Sequence, residues 1–396
     1  MTIPLNVLVF TPTPTHPPVQ GNRQRVFDMC RALQSVGAEM TVLYHSTEGI
    51  SAAEARLMRG TWGDLEVIFP SGFVPKQSLV RYPTIDDWYD DMITDAVARL
   101  CQRKRFDVCV VNYVWYSKLF EALPDSVVRV IDTHDLFGGR AERFAELGLA
   151  PEWFYTSIAQ ETLGLDRSDF VVAIQKEEAR TLQARTSSNV RTVGFLSAPN
   201  FMPPSGYKAG APLKAGYIGS GNPFNVSSML SFARAVHAVS GTTAAIEFHV
   251  AGAICAALRE SSHAFVLHGM VDSLPEFYRS IDVAINPMSG GTGLKIKSLE
   301  ALSFGKPLAA TTDAMAGINS LHAGHRLGGP DDVVRWLMEL SANPARLAEE
   351  AAESRRVFQS YRKAQLHAFL GLWSEIRDRV ADRVALGNAD SIGASP

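Results

Sequence analysis

The residues best suited to chemistry lie between Asn286 and Thr311, in NPMSGGTGLKIKSLEALSFGKPLAAT. A short apolar run ends at Asn286–Pro287, and Gly290, Gly291 and Gly293 lead into a helical pattern over Leu294–Phe304. Glycine lets a backbone come close to a ligand. The first turn of a helix offers unpaired N–H groups and a partial positive charge, which suit an anion. Lys295 falls in that first turn, where the helix dipole favours an acid over a cation. An anionic ligand would remove the conflict. Lys297, two residues on, is expected to point elsewhere. Glu300 can accept hydrogen bonds from a hydroxyl pair such as that of a ribose. The competing reading is a glycine turn with a solvated lysine and a surface glutamate. The segment lacks the G-x-x-x-x-G-K-[ST] spacing of a P-loop, and the single Gly21 near the N-terminus does not make a dinucleotide fingerprint.

Two further groups could take part. Gly219, Ser220, Gly221 and Asn222 follow the apolar run Leu213–Ile218, and their backbone could face a phosphate or a sugar; an ordinary tight turn is the alternative. Asp132, His134 and Asp135 follow the run Val127–Ile131. A histidine between two carboxylates is placed for polar or acid–base work, against the alternative of a capping aspartate and a histidine satisfied by backbone. No second His or Cys stands at metal-ligand spacing, so no metal is expected. The acidic run Asp86, Asp87, Asp90 and Asp91 reads as an exposed helix start. The basic run Arg99, Arg103, Lys104 and Arg105 reads as a solvated helix end, with anionic head groups as the alternative partner.

These residues need a frame, and the pattern supplies one. Apolar runs at Leu5–Phe10, Met40–Tyr44, Val108–Val111, Val127–Ile131 and Phe170–Ala173 alternate with helical spacing, as in Val26, Met29, Cys30 and Leu33. Unbroken apolar runs suit parallel strands covered on both faces. The prolines and glycines of Ser197–Pro212 mark a domain boundary. A second series follows: strands at Leu213–Ile218, Ile246–Val250, Phe265–Leu267, Val283–Asn286 and Leu308–Thr311, with helices at Val226–Val239 and Leu274–Arg279. Residues 1–200 and 201–360 are the expected domains, with an amphipathic helix over 361–396 returning to the first and a frayed tail from Gly387. Two such parallel sheets would face a central cleft, with ligands at the carboxyl ends of their strands.

Composition narrows the classes. In 396 residues, 38 Lys and Arg stand against 41 Asp and Glu, which argues against a basic nucleic-acid binder. The four cysteines form no C-x-x-C pair, so a reducing cytoplasm is the simple reading. Leu5–Phe10 lacks a preceding basic region and reads as a strand rather than a signal peptide. No run approaches the ~18 apolar residues of a membrane span.

The pattern GxGLKxKxLEALxxGKPL at Gly291–Leu308 resembles nucleotide-sugar glycosyltransferases of the GT-B fold, especially family 4. GNRQRVFDMCRALQSVGAEMTVL, DTHD, YIGSGNPFNVSSMLSF and VLHGMVDSLPEFYRSIDVAINPM are similar to other segments of the same enzymes. The resemblance implies an α/β chain of two Rossmann-like domains, the acceptor bound mainly by the first and the donor by the second. By matching position, Gly291, Thr292, Gly293, Leu294 and Lys295 would cradle a diphosphate and Glu300 would hold the ribose. Gly219 and Ser220 would line the donor site, Gly21 and Asn22 would close over it, and His134 would sit near the transferred sugar. His134 and Lys295 would be the catalytic pair. The donor would be a nucleoside diphosphate sugar, with no cofactor and no metal. The acceptor would be a hydroxyl on a glycan, lipid-linked glycan, protein or small molecule, with peripheral contact at the inner membrane face as a further possibility. Thr292 stands where many members have an acid, and Ser220 and Asn225 stand where many have Arg and Lys. These departures shift diphosphate charge onto Lys295. The acid missing at Thr292 keeps open a non-catalytic GT-B binding module, and a nucleotide-sugar epimerase on the same fold is the other alternative.

Overall fold

The computed structural model describes residues 4–18, 20–72, 84–146, 148, 150–151, 154–208, 210–239, 246–290 and 293–393. The chain divides into two units, Met1–Leu196 with Gln365–Pro396, and Ser197–Ala364.

The first unit is built on strands β1 (Asn6–Thr11), β2 (Glu39–His45), β3 (Asp64–Ile68), β4 (Val108–Asn112), β5 (Val128–Asp132), β6 (Phe170–Ala173) and β7 (Asn189–Thr192). They form one sheet in the order β3-β2-β1-β4-β5-β6-β7, and every pairing is parallel. Its helices are α1 (Gly21–Ser35), α2 (Ala52–Trp62), α3 (Asp91–Arg103), α4 (Arg140–Glu146), α5 (Ile158–Leu165) and α6 (Lys176–Gln183). Val7 and Val9 of β1 face one apolar cluster, and Leu8 and Phe10 face another. Alternate side chains thus leave the strand for opposite layers, which is why its sequence is apolar throughout.

The second unit carries β8 (Leu213–Ile218), β9 (Ile246–Ala251), β10 (Val266–Gly269), β11 (Val283–Asn286) and β12 (Leu308–Ala310) in the order β10-β9-β8-β11-β12, again all parallel. Its helices are α7 (Pro223–Ala238), α8 (Leu274–Ser280), α9 (Ile296–Ser303) and α10 (Pro330–Ala342). The last helix, α11 (Arg346–Gly393), starts in the second unit, and its residues from Gln365 onward belong to the first. There Phe369, Leu372, Trp373, Ile376 and Val380 pack on Met29, Leu33, Val110 and Val130, a stripe at helical spacing.

Three local expectations change. Helix α9 begins at Ile296 rather than Leu294, because Lys295 adopts φ −85° and ψ 80° and caps the helix instead of entering it. Edge strands β3 and β7, absent from the sequence reading, are present. The acidic run is engaged rather than free: Asp86 pairs with Arg167 at 2.6 Å, and Asp90 caps α3.

In each sheet the winding reverses once, between β1 and β4 and between β8 and β11. Ligands of open α/β sheets bind beyond the carboxyl ends of the strands at such points.

Candidate functional site

In the second unit, the loops leaving β8 and β11 flank the reversal point. After β11, Gly290 (φ 72°) and Gly293 (φ 80°) take left-handed conformations that favour glycine. The Gly290 N–H donates to the Asp313 carboxylate at 2.7 Å, and Thr311 Oγ1 donates to the Met288 carbonyl. Asn286 Nδ2 donates to Ser298 Oγ at 2.9 Å, and Ser298 Oγ donates to the Ala314 carbonyl at 2.6 Å. The loop is therefore tied at both ends to the segment after β12. Gly291 and Thr292 lie outside the described residues. Leu294 is buried, and Lys295, at the cap of α9, is only 5% exposed.

After β8, the turn is closed by α7. Asn222 accepts from the Asn225 N–H at 2.9 Å, Pro223 occupies the first helical turn, and Asn225 Nδ2 donates to the Ser220 carbonyl at 2.9 Å. Gly219 has no room for a side chain: a Cβ there would stand 2.7 Å from Tyr217 and 3.0 Å from Lys297 Cε. A Cβ on Gly252, after β9, would fall 2.4 Å from the Gly219 carbonyl oxygen. Glycine is required where these loops press together.

The contact between Gly219 and Lys297 corrects the sequence reading. Lys297 does not turn away: its stem lies against the β8 loop, and its charge is felt by Glu300. Burial lowers its ammonium to about 8, with Glu300 supporting the charged form and Lys295 opposing it. Burial raises the Glu300 carboxyl, while the hydrogen bond from Tyr278 Oη at 2.8 Å and the charge of Lys297 act the other way. Tyr278 is fixed in turn by stacking on Phe304, with ring centroids 4.4 Å apart. Thus Gly219, Ser220, Lys297 and Glu300 form one neighbourhood, adjoining Lys295. Lys297 and Tyr278 were missed by the sequence reading. The signal for Lys297 was its place three residues before Glu300, on one helical face.

In the first unit, a second constellation sits at the carboxyl ends of β1, β4 and β5. Arg25 of α1 donates to Asp132 Oδ1 from Nε at 2.9 Å and from Nη2 at 2.5 Å, and also to the carbonyls of Val193 and Gly194. Both partners are buried. His134 Nε2 lies 2.8 Å from Asn112 Oδ1. Asn112 Nδ2 is spent on the Phe10 carbonyl, so Oδ1 accepts and the His134 proton sits on Nε2. Burial lowers His134 to about 4, with Asp132 opposing that shift. The ring is neutral at physiological pH, and Nδ1 keeps its lone pair. Asp135 turns to Arg140 and to the Leu136 N–H rather than to His134.

His134 (φ 60°) and Tyr113 (φ 70°) are the left-handed residues other than glycine among those described. They stack on each other, with centroids 4.1 Å apart and ring planes 18° apart. Strained backbone of this kind tends to collect at functional sites. Asn22, in the first turn of α1 beside Gly21, hydrogen-bonds to Tyr113. The structure thus brings Asn22 and His134 to one place through Tyr113, which the sequence reading passed over, as it did Arg25. Arg25 stood four and eight residues before the apolar Met29 and Leu33, a charge on an apolar stripe. Among the described residues, no three or more His, Cys, Asp or Glu converge as a metal site, and no helix is long and apolar enough to cross a membrane.

Residues 212–351 match the family described as Glycosyl transferases group 1. No curated protein matches. The fold is shared with HepE of Anabaena in complex with UDP and glucose (11% identity, TM-score 0.65, 94% of this chain and 100% of that one). Sucrose-phosphate synthase of Thermosynechococcus elongatus is similar (12%, 0.66, 94% and 99%), as is TarM (9%, 0.67, 94% and 98%). At these identities the likeness establishes the fold, which is GT-B.

Proposed function

We propose that this GT-B chain, whose residues 212–351 form a glycosyltransferase group 1 domain, moves a sugar from a nucleoside diphosphate donor to an acceptor hydroxyl in the synthesis of a glycan, polysaccharide or glycoconjugate. The observation that carries this reading is the pair Lys295 and Lys297 at the start of α9. Two lysines there oppose each other's charge and the helix dipole. A diphosphate would relieve both conflicts. As the bond from the sugar C1 to the diphosphate oxygen breaks, that oxygen leaves with the electron pair. The acceptor oxygen bonds C1 and gives up its proton to water or to the departing diphosphate. Lys295 and the N–H groups beside it stabilise the growing negative charge, and rigid positioning supplies much of the rest. Glu300 takes the ribose hydroxyls. His134, neutral and held by Asn112, offers Nδ1 to a hydroxyl of the transferred sugar.

The HepE structures hold UDP, UDP with glucose, and UDP-glucose, and a TarM structure holds UDP. UDP-glucose is therefore the first donor to test. We infer that the protein's own cations meet the diphosphate charge without a divalent ion. The free state of all four cysteines suits a reducing cytoplasm. A thermal-shift screen of nucleotide sugars should show stabilisation by at least one of them. With that donor, Lys295→Ala should lower turnover by roughly 10²–10³-fold with the melting temperature unchanged, and EDTA should leave the parent rate intact. Unaltered turnover in Lys295→Ala removes that lysine from the reaction, and a rate restored only by Mg²⁺ overturns metal independence.

A further inference from the structure

The loop after β8 borders the reversal point, yet from Gly219 to Asn225 it contains no charged side chain. Its polar groups are largely spent on itself, since Asn222 and Asn225 bond within the turn and Ser220 accepts from both. A cation reaches it from elsewhere. Lys297 Cε comes to 3.0 Å from where a Gly219 Cβ would stand. Among the described residues, Lys297 makes no hydrogen bond or ion pair of its own. A partly buried ammonium that has no hydrogen-bond acceptor, and whose one supporting charge is the buried Glu300, is costly, and here a second lysine adds to that cost. The arrangement makes sense if a ligand completes it.

We propose that Lys297 is a second anion-binding lysine, delivered by α9 to the Gly219–Ser220 turn, where it grips the diphosphate that Lys295 also holds. This rests on the donor reading of the site. It moves the cation of the β8 wall from the loop, which has none, to the facing helix.

Titration offers a signature. Burial and Lys295 have brought the Lys297 ammonium down to about 8. Bound diphosphate would favour the charged form and raise that value. Binding should then take up protons near pH 8, and affinity should fall as pH rises through that region. Among the described residues, the charged groups that act on Lys297 are Lys295 and Glu300, with Tyr217 beside it at Gly219 and Tyr278 bonded to Glu300. Burial pushes both tyrosines above their ordinary range, so they stay neutral there.

The test is calorimetry of UDP on the full chain at pH 7.0, 8.0 and 9.5, each in two buffers of different ionisation heat. The parent should lose about tenfold in affinity between pH 7.0 and 9.5 and take up protons at pH 8.0. Lys297→Arg, charged throughout, should bind with little dependence on pH. Lys297→Met should bind about tenfold more weakly at pH 7.0 and show the smaller proton uptake of a site lacking this group. Circular dichroism checks that both variants fold. Equal affinity and equal proton uptake in the parent and Lys297→Met overturn the role of Lys297 while leaving the donor site standing. Failure of the parent to bind UDP, ADP, GDP, CDP or dTDP is a different result and removes the diphosphate reading together with this inference.

Discussion

The two constellations solve opposite electrostatic problems. In the first unit, Arg25 is matched to Asp132, and His134 is kept neutral and tied to Asn112. Little charge is left over, and the strain appears in the backbone of Tyr113 and His134 instead. In the second unit, the glycines sit where glycine belongs, and the imbalance is electrostatic: two lysines at one helix start, with Glu300 raised by burial. A balanced network holds a shape before any ligand arrives. An unbalanced one is completed by a ligand. Breaking the Arg25–Asp132 pair should therefore cost stability, and removing a lysine from the second unit should cost function.

The largest effect follows from Arg25→Met. It would leave Asp132 buried without its guanidinium partner, and Asp132 Oδ2 already has no hydrogen bond. Removing one member of a buried pair typically costs about 3–5 kcal/mol. Denaturant unfolding should show a loss of that order in the first unit. Lys295→Met should show no comparable loss in the second. Equal losses in both variants would erase the contrast between a structural pair and a binding cation.

Much of this frame was legible in the sequence, for identifiable reasons. Strands β6, β8 and β11 match their apolar runs at both ends, since they are covered on two faces and carry no amphipathic ambiguity. Strands β3 and β7 were not visible because DLEVI and NVRT are short, carry charges and lie at sheet edges. The glycine loop and Lys295 were legible because a cation at a helix start defies the local preference. Lys297 was not, because its face was counted from Lys295 as though both were helical. Lys295 has ψ 80° and stands outside the helix, so the offset between the two says nothing about direction. Counted from Glu300, three residues on, Lys297 shares its face. Tyr113 was beyond reach, because a left-handed tyrosine leaves no trace in spacing.

Acid separates the units next. His134 in the first and His325 in the second are each held at about 4, mainly by burial, against about 6.5 in an unfolded chain. Between those values the unfolded chain binds a proton that the folded one refuses, so stability falls as pH drops from 6.5 to 4. Each histidine accounts for at most roughly 3 kcal/mol of that loss. Substituting His134→Gln should flatten the acid dependence of the first unit alone, read by hydrogen exchange of its strands at pH 6.5, 5.0 and 4.0. An unchanged slope there would mean that His134 is not held neutral by the fold. For the same reason, His134 should contribute no inflection to the rate profile between pH 6 and 8.

The smallest effect sharpens the second unit from within. Tyr278→Phe removes the hydroxyl that donates to Glu300 and keeps the ring that stacks on Phe304. One hydrogen bond to a carboxylate is worth about 1.5–3 kcal/mol at most, and less where the group stays partly wet. Fold stability should shift by about 1 kcal/mol. Without this donor, the Glu300 carboxyl should rise further, because the bond from Tyr278 favours its charged form. If Glu300 binds the ribose as a carboxylate, nucleotide affinity in Tyr278→Phe should weaken at low pH and recover toward the parent value at high pH. A loss of equal size at both pH values would assign Tyr278 to packing alone, and affinity that improves at low pH would mean that Glu300 meets its ligand in the protonated form.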